Sequence, residues 1–177
     1  MGNIGKKFEN AIKRSAPDYM LLYRLPDAAQ SFGGGNKLRF SWKNPFDFLL
    51  WDSQRHMLFA LELKTVAGKS ISFERTAEDV GDIHLHQVEG LLGWSQYDGI
   101  TAGFIIEFRA IETTVFIPIS GYMALINAIS KKSFSRKDLD DYKVPYVQIP
   151  QKKLRTQYRY DIESMVNQIE NDKENEL

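Results

Sequence analysis

The stretch Met57-Leu58-Phe59-Ala60-Leu61-Glu62-Leu63-Lys64-Thr65 decides how this chain is read. Side chains of a strand alternate between faces, so Met57, Phe59, Leu61 and Leu63 make one apolar face while Glu62 and Lys64 project together from the other. A carboxylate and an ammonium therefore stand side by side in an otherwise apolar strand, and unpaired charges are costly to keep inside a sheet. Two readings are open on these residues alone: an edge strand with a solvated Glu-Lys face, or a charged site built into the sheet. Upstream, Pro45-Phe46-Asp47-Phe48-Leu49-Leu50-Trp51 is a nearly wholly apolar strand broken by Asp47, and Asp52-Ser53-Gln54-Arg55 turns the chain back so that the two strands pair antiparallel. Asp47, Glu62 and Lys64 can then converge on one sheet face. Two carboxylates sharing a site repel, a divalent cation relieves the repulsion, and hard oxygen ligands with open water positions suit Mg²⁺. A lysine beside such a site can orient or deprotonate a water and help stabilise charge developing on a phosphate.

Outward from this pair, the spacing of Ile4, Phe8, Ala11 and Ile12 predicts a helix over about 3–15 that Pro17 ends, and Tyr19–Tyr23 reads as a strand. Residues 26–44, with Gly33-Gly34-Gly35-Asn36, carry loop chemistry. Asp82 is placed to cap a helix through Ile83, Gln87, Leu91 and Trp94. Gly103–Phe108 and Thr114–Ile119 predict a further strand pair, and Ser120 a cap for a helix holding Met123, Leu125, Ile126 and Ile129. Ile162, Met165, Val166 and Ile169 predict a last helix, with residues 171–176 expected to fray. The order implies an α/β (α+β) fold, a central mixed sheet flanked by helices. The division expected is one domain over 1–160 and a C-terminal helix and acidic tail over 161–177.

The 177 residues hold 23 Lys+Arg and 23 Asp+Glu, for no formal net charge, and no cysteine. Absence of cysteine excludes a disulfide framework, a thiolate zinc site and a cysteine nucleophile. With no apolar leader at the start and no run of ~18 uncharged residues, a soluble cytoplasmic protein without a membrane span is expected. The neutral total hides unlike parts. Residues 1–44 carry eight bases against three acids, 45–130 five against eleven, 131–160 nine against three, and 161–177 one against six. Basic patches rather than total charge attract phosphate backbones, although ordinary solvated faces would give the same count.

Pro45-x-Asp47 followed by Glu62-x-Lys64 resembles the PD-(D/E)xK nuclease signature, with Glu9 on the first helix and His86-Gln87 on the helix after the motif strand where that superfamily often adds site residues. Within it the chain is similar to RecU-type Holliday junction resolvases of phage or bacterial type. The likeness runs through Phe59–Thr65, Phe73, His84-Leu85-His86-Gln87, Gly103–Phe108 and the basic turn Lys131-Lys132-Ser133-Phe134-Ser135. It implies a restriction-endonuclease-like core, with residues 26–44 in the place of the family's inserted stalk; here that segment is short and glycine-rich.

The resemblance implies hydrolysis of DNA phosphodiesters, on branched DNA, by a homodimer using Mg²⁺, for which Mn²⁺ would substitute. Asp47, Glu62, the Leu63 carbonyl and Glu9 would hold the metal, Lys64 would position the attacking water, and Gln87 would hydrogen-bond to the site. Glu9 has a second reading, since a carboxylate near a helix start also offsets the dipole or pairs with Lys13. Lys6, Lys7, Lys13, Arg24, Lys37, Arg39 and Lys43 are the expected DNA contacts, with Phe32 and Trp42 beside them. A restriction-like or repair endonuclease on ordinary duplex, and an inactive DNA-binding relative, are the alternatives.

Other motifs lead elsewhere. Gly68-Lys69-Ser70 mimics the end of a phosphate-binding loop, but that motif needs glycine where this chain has Leu63. The glycine run 33–35 lacks the strand and helix context of a dinucleotide fold. His84 and His86, two apart on a helix, point to different faces and do not make a metal site.

Overall fold

The computed structural model describes residues 4–26 and 44–175. Its elements, in chain order, are α1 (Ile4–Ser15), β1 (Met20–Arg24), β2 (Phe48–Asp52), β3 (Met57–Val66), β4 (Ser70–Ser72), α2 (Leu85–Ser95) and β5 (Ile100–Phe108). A 3₁₀ turn at Arg109–Ile111 then leads to β6 (Thr113–Pro118), α3 (Ile119–Ala128), β7 (Ser133–Ser135), α4 (Arg136–Asp141), β8 (Val147–Ile149), β9 (Gln151–Lys153), β10 (Tyr158–Tyr160) and α5 (Ile162–Asn175). A six-stranded mixed sheet runs β1-β2-β3-β5-β6-β8; β3 and β5 are parallel, joined by a crossover that contains α2, and every other neighbour is antiparallel. Two small pairs, β4 with β7 and β9 with β10, stand outside it.

Both faces of the sheet are covered. One buries Ala60, Phe104, Ile106 and Ile117 with Val88 and Leu91 of α2 and Ile119, Tyr122 and Leu125 of α3. The other buries Phe48, Leu50, Phe59, Leu61, Leu63 and Ile105 with Phe8, Ala11 and Ile12 of α1 and Ile162, Met165, Val166 and Ile169 of α5. The sequence expectation of a mixed sheet flanked by helices is the arrangement found. A sheet covered on both sides turns its inner strands into continuous apolar runs, and β3 is buried without a break from Phe59 to Leu63. It sits between β2 and β5, so the edge-strand reading of Glu62 and Lys64 falls. The hairpin before it is closed by Asp52, whose Oδ1 accepts from the amides of Gln54 at 2.8 Å and Arg55 at 3.1 Å. His56 takes the left-handed conformation with φ 54°.

Three element ends differ from the sequence reading. Asp82 does not cap α2; its Oδ2 accepts from the Ser72 amide at 3.1 Å, and the helix starts after His84. Ser120 lies inside α3, whose N-cap is Pro118. The tail does not fray at 171, because α5 continues to Asn175, with Lys173 Nζ donating to Thr101 Oγ1 at 2.7 Å. The basic turn 131–135 contains β7, and Lys131 and Lys132 are paired with Asp138 and Asp79. The stretch 27–43, holding the glycine run, Phe32, Trp42, Lys37, Arg39 and Lys43, lies outside the described residues. None of the helices described is long and apolar enough to cross a membrane.

Candidate active site

Asp47 stands one residue before β2 yet is locked into the sheet: its amide donates to Leu61 O at 3.1 Å and its carbonyl accepts from Leu25 N at 2.8 Å. Phe48 pairs with Leu61, so Asp47 comes opposite the stretch of β3 that holds Glu62. Its carboxylate Oδ2 accepts from the Leu63 amide at 3.0 Å. Glu62 follows from strand alternation: it shares a face with Ala60, under α2, and is 3% exposed. Lys64, on that same face, puts Nζ 3.2 Å from Glu62 Oε1.

α2 delivers the fourth group. Gln87 occupies its first turn and its Oε1 accepts from the His84 amide at 3.0 Å, the reciprocal half of a capping box. That bond fixes the amide plane, and the Nε2 end donates to Glu62 Oε1. The neighbouring His84 is held in turn by Glu74, Nδ1 to Oε1 at 2.6 Å, while Glu74 Oε2 accepts from the Leu85 amide at 3.0 Å.

Burial dominates the electrostatics of both carboxylates. Glu62 is pushed up to about 8, first by burial and then by the Asp47 charge, with Lys64 opposing. Asp47 is also raised, chiefly by burial, against the Leu63 amide that favours its charged form. Glu9 raises both from a distance.

Its own carboxylate, however, is taken by Arg24, Nε to Oε2 at 2.9 Å. Among the described residues no group of three or more His, Cys, Asp or Glu comes close enough to hold a metal ion. The donor set is thus two carboxylates with the Leu63 backbone between Glu62 and Lys64. That suits Mg²⁺, which is held by one or two carboxylates together with waters and substrate phosphate, and does not suit an all-protein cage. The raised carboxylates are the second sign of fit: burial is the chief cause in both, and a cation in their midst would favour the charged forms that burial penalises.

Of the expected site residues, the fold brings Asp47, Glu62, Leu63, Lys64 and Gln87 together and leaves Glu9 one ion pair away. Lys6, Lys7 and Lys13 are exposed on α1, and Arg24 is engaged with Glu9. Sequence reasoning missed Gly90, against which Pro45 packs so closely that a Cβ there would lie 2.3 Å from Pro45 O. A glycine within the apolar stripe of a helix was the available signal.

No family model matches the sequence. The chain is 34% identical over 133 residues to the SPβ prophage-derived uncharacterized protein YotM of Bacillus subtilis (strain 168), a match covering 73% of this chain and 63% of that protein. It therefore spans less than two thirds of the length of that relative. Among solved structures it is similar to Hjc, a Holliday junction resolvase of the archaeal hyperthermophile Archaeoglobus fulgidus, with 12% identity and a TM-score of 0.42 over 68% of this chain and 78% of that one.

Proposed function

We propose that this chain is a Mg²⁺-dependent DNA endonuclease that hydrolyses phosphodiester bonds and resolves four-way junctions as a homodimer. The observation that carries the reading is the convergence of Asp47, Glu62, Lys64 and Gln87 on one sheet face, with Glu62 buried and its oxygen shared by Lys64 and Gln87. A buried acid with a raised pKa, a cation and a positioned amide in one cluster is what a reaction site requires and what packing alone disfavours. The 34% identity to a prophage-derived protein supports a phage setting.

Asp47 and Glu62, with the Leu63 carbonyl, would hold one or two Mg²⁺ ions, which when bound polarise the phosphate and stabilise charge on the leaving 3′ oxygen. Lys64 orients the attacking water and offsets the negative charge that builds on the phosphate. Gln87 keeps the Glu62 carboxylate in one orientation, so that no binding energy is spent ordering it. Paired incision of a symmetric junction needs two such sites, hence the dimer.

Incubation with Mg²⁺ and a labelled four-way junction, a matched linear duplex and a flap tests the proposal. Cleavage of the junction is expected, with loss in Asp47→Ala and a dimeric mass by light scattering. No cleavage of any substrate, or undiminished cleavage by Asp47→Ala, would sink it. Equal cleavage of duplex and junction would make the enzyme restriction-like, and tight binding without cutting would make it an inactive relative.

A further inference from the structure

A second concentration of charge lies on the opposite face of the sheet from the Asp47–Glu62 cluster. β5 ends in Glu107 and Phe108 and passes into Arg109; the hairpin β9–β10 and α1 complete the walls of a pocket of about 310 Å³. Its charged lining is Lys7, Arg109, Lys153 and Arg155 against one carboxylate, Glu107.

That carboxylate is already committed. Glu107 is 5% exposed and accepts from Tyr160 Oη at 2.7 Å and from Thr65 Oγ1 at 2.6 Å. Lys153 is paired with Glu112 at 2.8 Å. Arg109 Nε is buried and has no hydrogen-bond partner among the described residues. A buried Nε–H without an acceptor is costly, and Arg109 itself lines the pocket.

The hairpin adds to the field. From Gln151 to Tyr160 it carries Lys152, Lys153, Arg155 and Arg159 and no acid. Guanidinium forks match the several acceptor oxygens of a phosphate.

The location favours a phosphate that belongs to a polymer. Lys64 is the partner of Ile106 and Thr65 of Glu107, so the pocket lies at the same end of the parallel pair β3–β5 as Lys64 and Glu62.

We propose that this pocket binds a backbone phosphate of the DNA, away from the scissile bond, with Arg109 and Arg155 as its donors. The proposal rests on the endonuclease reading of the Asp47–Glu62 site.

The test uses the full chain carrying Glu62→Gln, so that binding is measured without cutting. Anisotropy of a labelled four-way junction and a duplex is followed across a salt series for this protein and for the same protein with Arg155→Ala, Arg109→Gln or both. Arg155 is exposed in the hairpin, so its removal leaves the thermal midpoint unchanged and remains readable if Arg109→Gln unfolds the chain. Each variant is expected to weaken binding to both DNAs by the same factor, and each lost phosphate contact to make the log–log salt slope shallower by about 1. Unchanged affinity and slope in Arg155→Ala and Arg109→Gln would overturn the pocket assignment while leaving the endonuclease reading intact. A Glu62→Gln protein that binds neither DNA would overturn both. Inorganic phosphate that raises the midpoint through Arg109, with the DNA slope unaltered, would assign the pocket to a free anion and overturn the proposal.

Discussion

Glu62 shows most directly how placement makes chemistry. Its pKa in the fold is about 8 against the ordinary 4.5, so between those values the folded protein binds a proton that the unfolded chain does not. Stability from this group is therefore complete below about pH 4.5 and is lost as the pH rises through 8, with raised Asp47 contributing in the same direction. Replacing Glu62 by Gln, which keeps the shape and removes the charge, should flatten that slope. Above pH 8 the variant should exceed the wild type by on the order of 2–4 kcal/mol in urea denaturation with chelator present. Equal slopes for the two proteins would show that Glu62 does not titrate there. Gln87→Ala should lower cleavage by about 10–100-fold, because the amide orients a ligand, and should also cost about 1 kcal/mol in urea denaturation, because the same side chain closes the capping box of α2. Glu9 shows the limit of helical spacing, which puts it on α1 but does not reveal its ion pair with Arg24 of β1.

At the scale of elements, α2 is what completes the site, and it does so because Gly90 lets it lie against Pro45. A Cβ at 90 would also meet Pro45 Cβ at 2.6 Å, and backbone cannot yield as a flexible side-chain end can. Gly90→Ala should thus cost about 1–3 kcal/mol, as overpacking does, and should lower cleavage at least tenfold by moving Gln87 and Asp47 apart. Gly93→Ala, one turn on, meets nothing within 4 Å and should instead stabilise by about 0.5–1 kcal/mol through helix propensity. Thermal melts of the two variants in parallel check both signs. The long elements, β2, β3, β5 and α2, were legible because their apolar residues repeat often enough to reveal a period. The strands of three residues were not. β4 pairs with β7 across more than sixty residues of sequence, and Ser70-Ile71-Ser72 shows no pattern that could foretell it.

On the scale of the whole molecule, the C-terminal helix is part of the core and not an appendage. Met165 and Val166 are fully buried beside Phe8, Leu50 and Phe59. Met165→Ala should cost about 2–5 kcal/mol in denaturant unfolding, comparable to other large core truncations. The charge distribution is also a property of the whole: the net charge is zero, yet residues 131–160 carry nine bases against three acids. DNA binding should fall steeply with added salt despite the neutral total, because local phosphate contacts set the slope. A flat response in the same anisotropy series would undercut the DNA assignment itself.

By itself the sequence determined which groups share a face. A strand has a period of two, so Glu62 and Lys64 must project together, and a short hairpin must bring the strand after Asp47 alongside them. It also determined the alternation of strands and helices from which a mixed sheet follows. Only the tertiary structure decided that β3 is an inner strand, which buries Glu62 and raises its pKa; that Gln87 reaches that carboxylate while Glu9 is held by Arg24; and that a basic hairpin and Arg109 line one pocket. Periodicity is local and survives in any fold that keeps the element. Burial and the meeting of residues far apart in the chain depend on which faces pack together, and that is settled by the whole core at once.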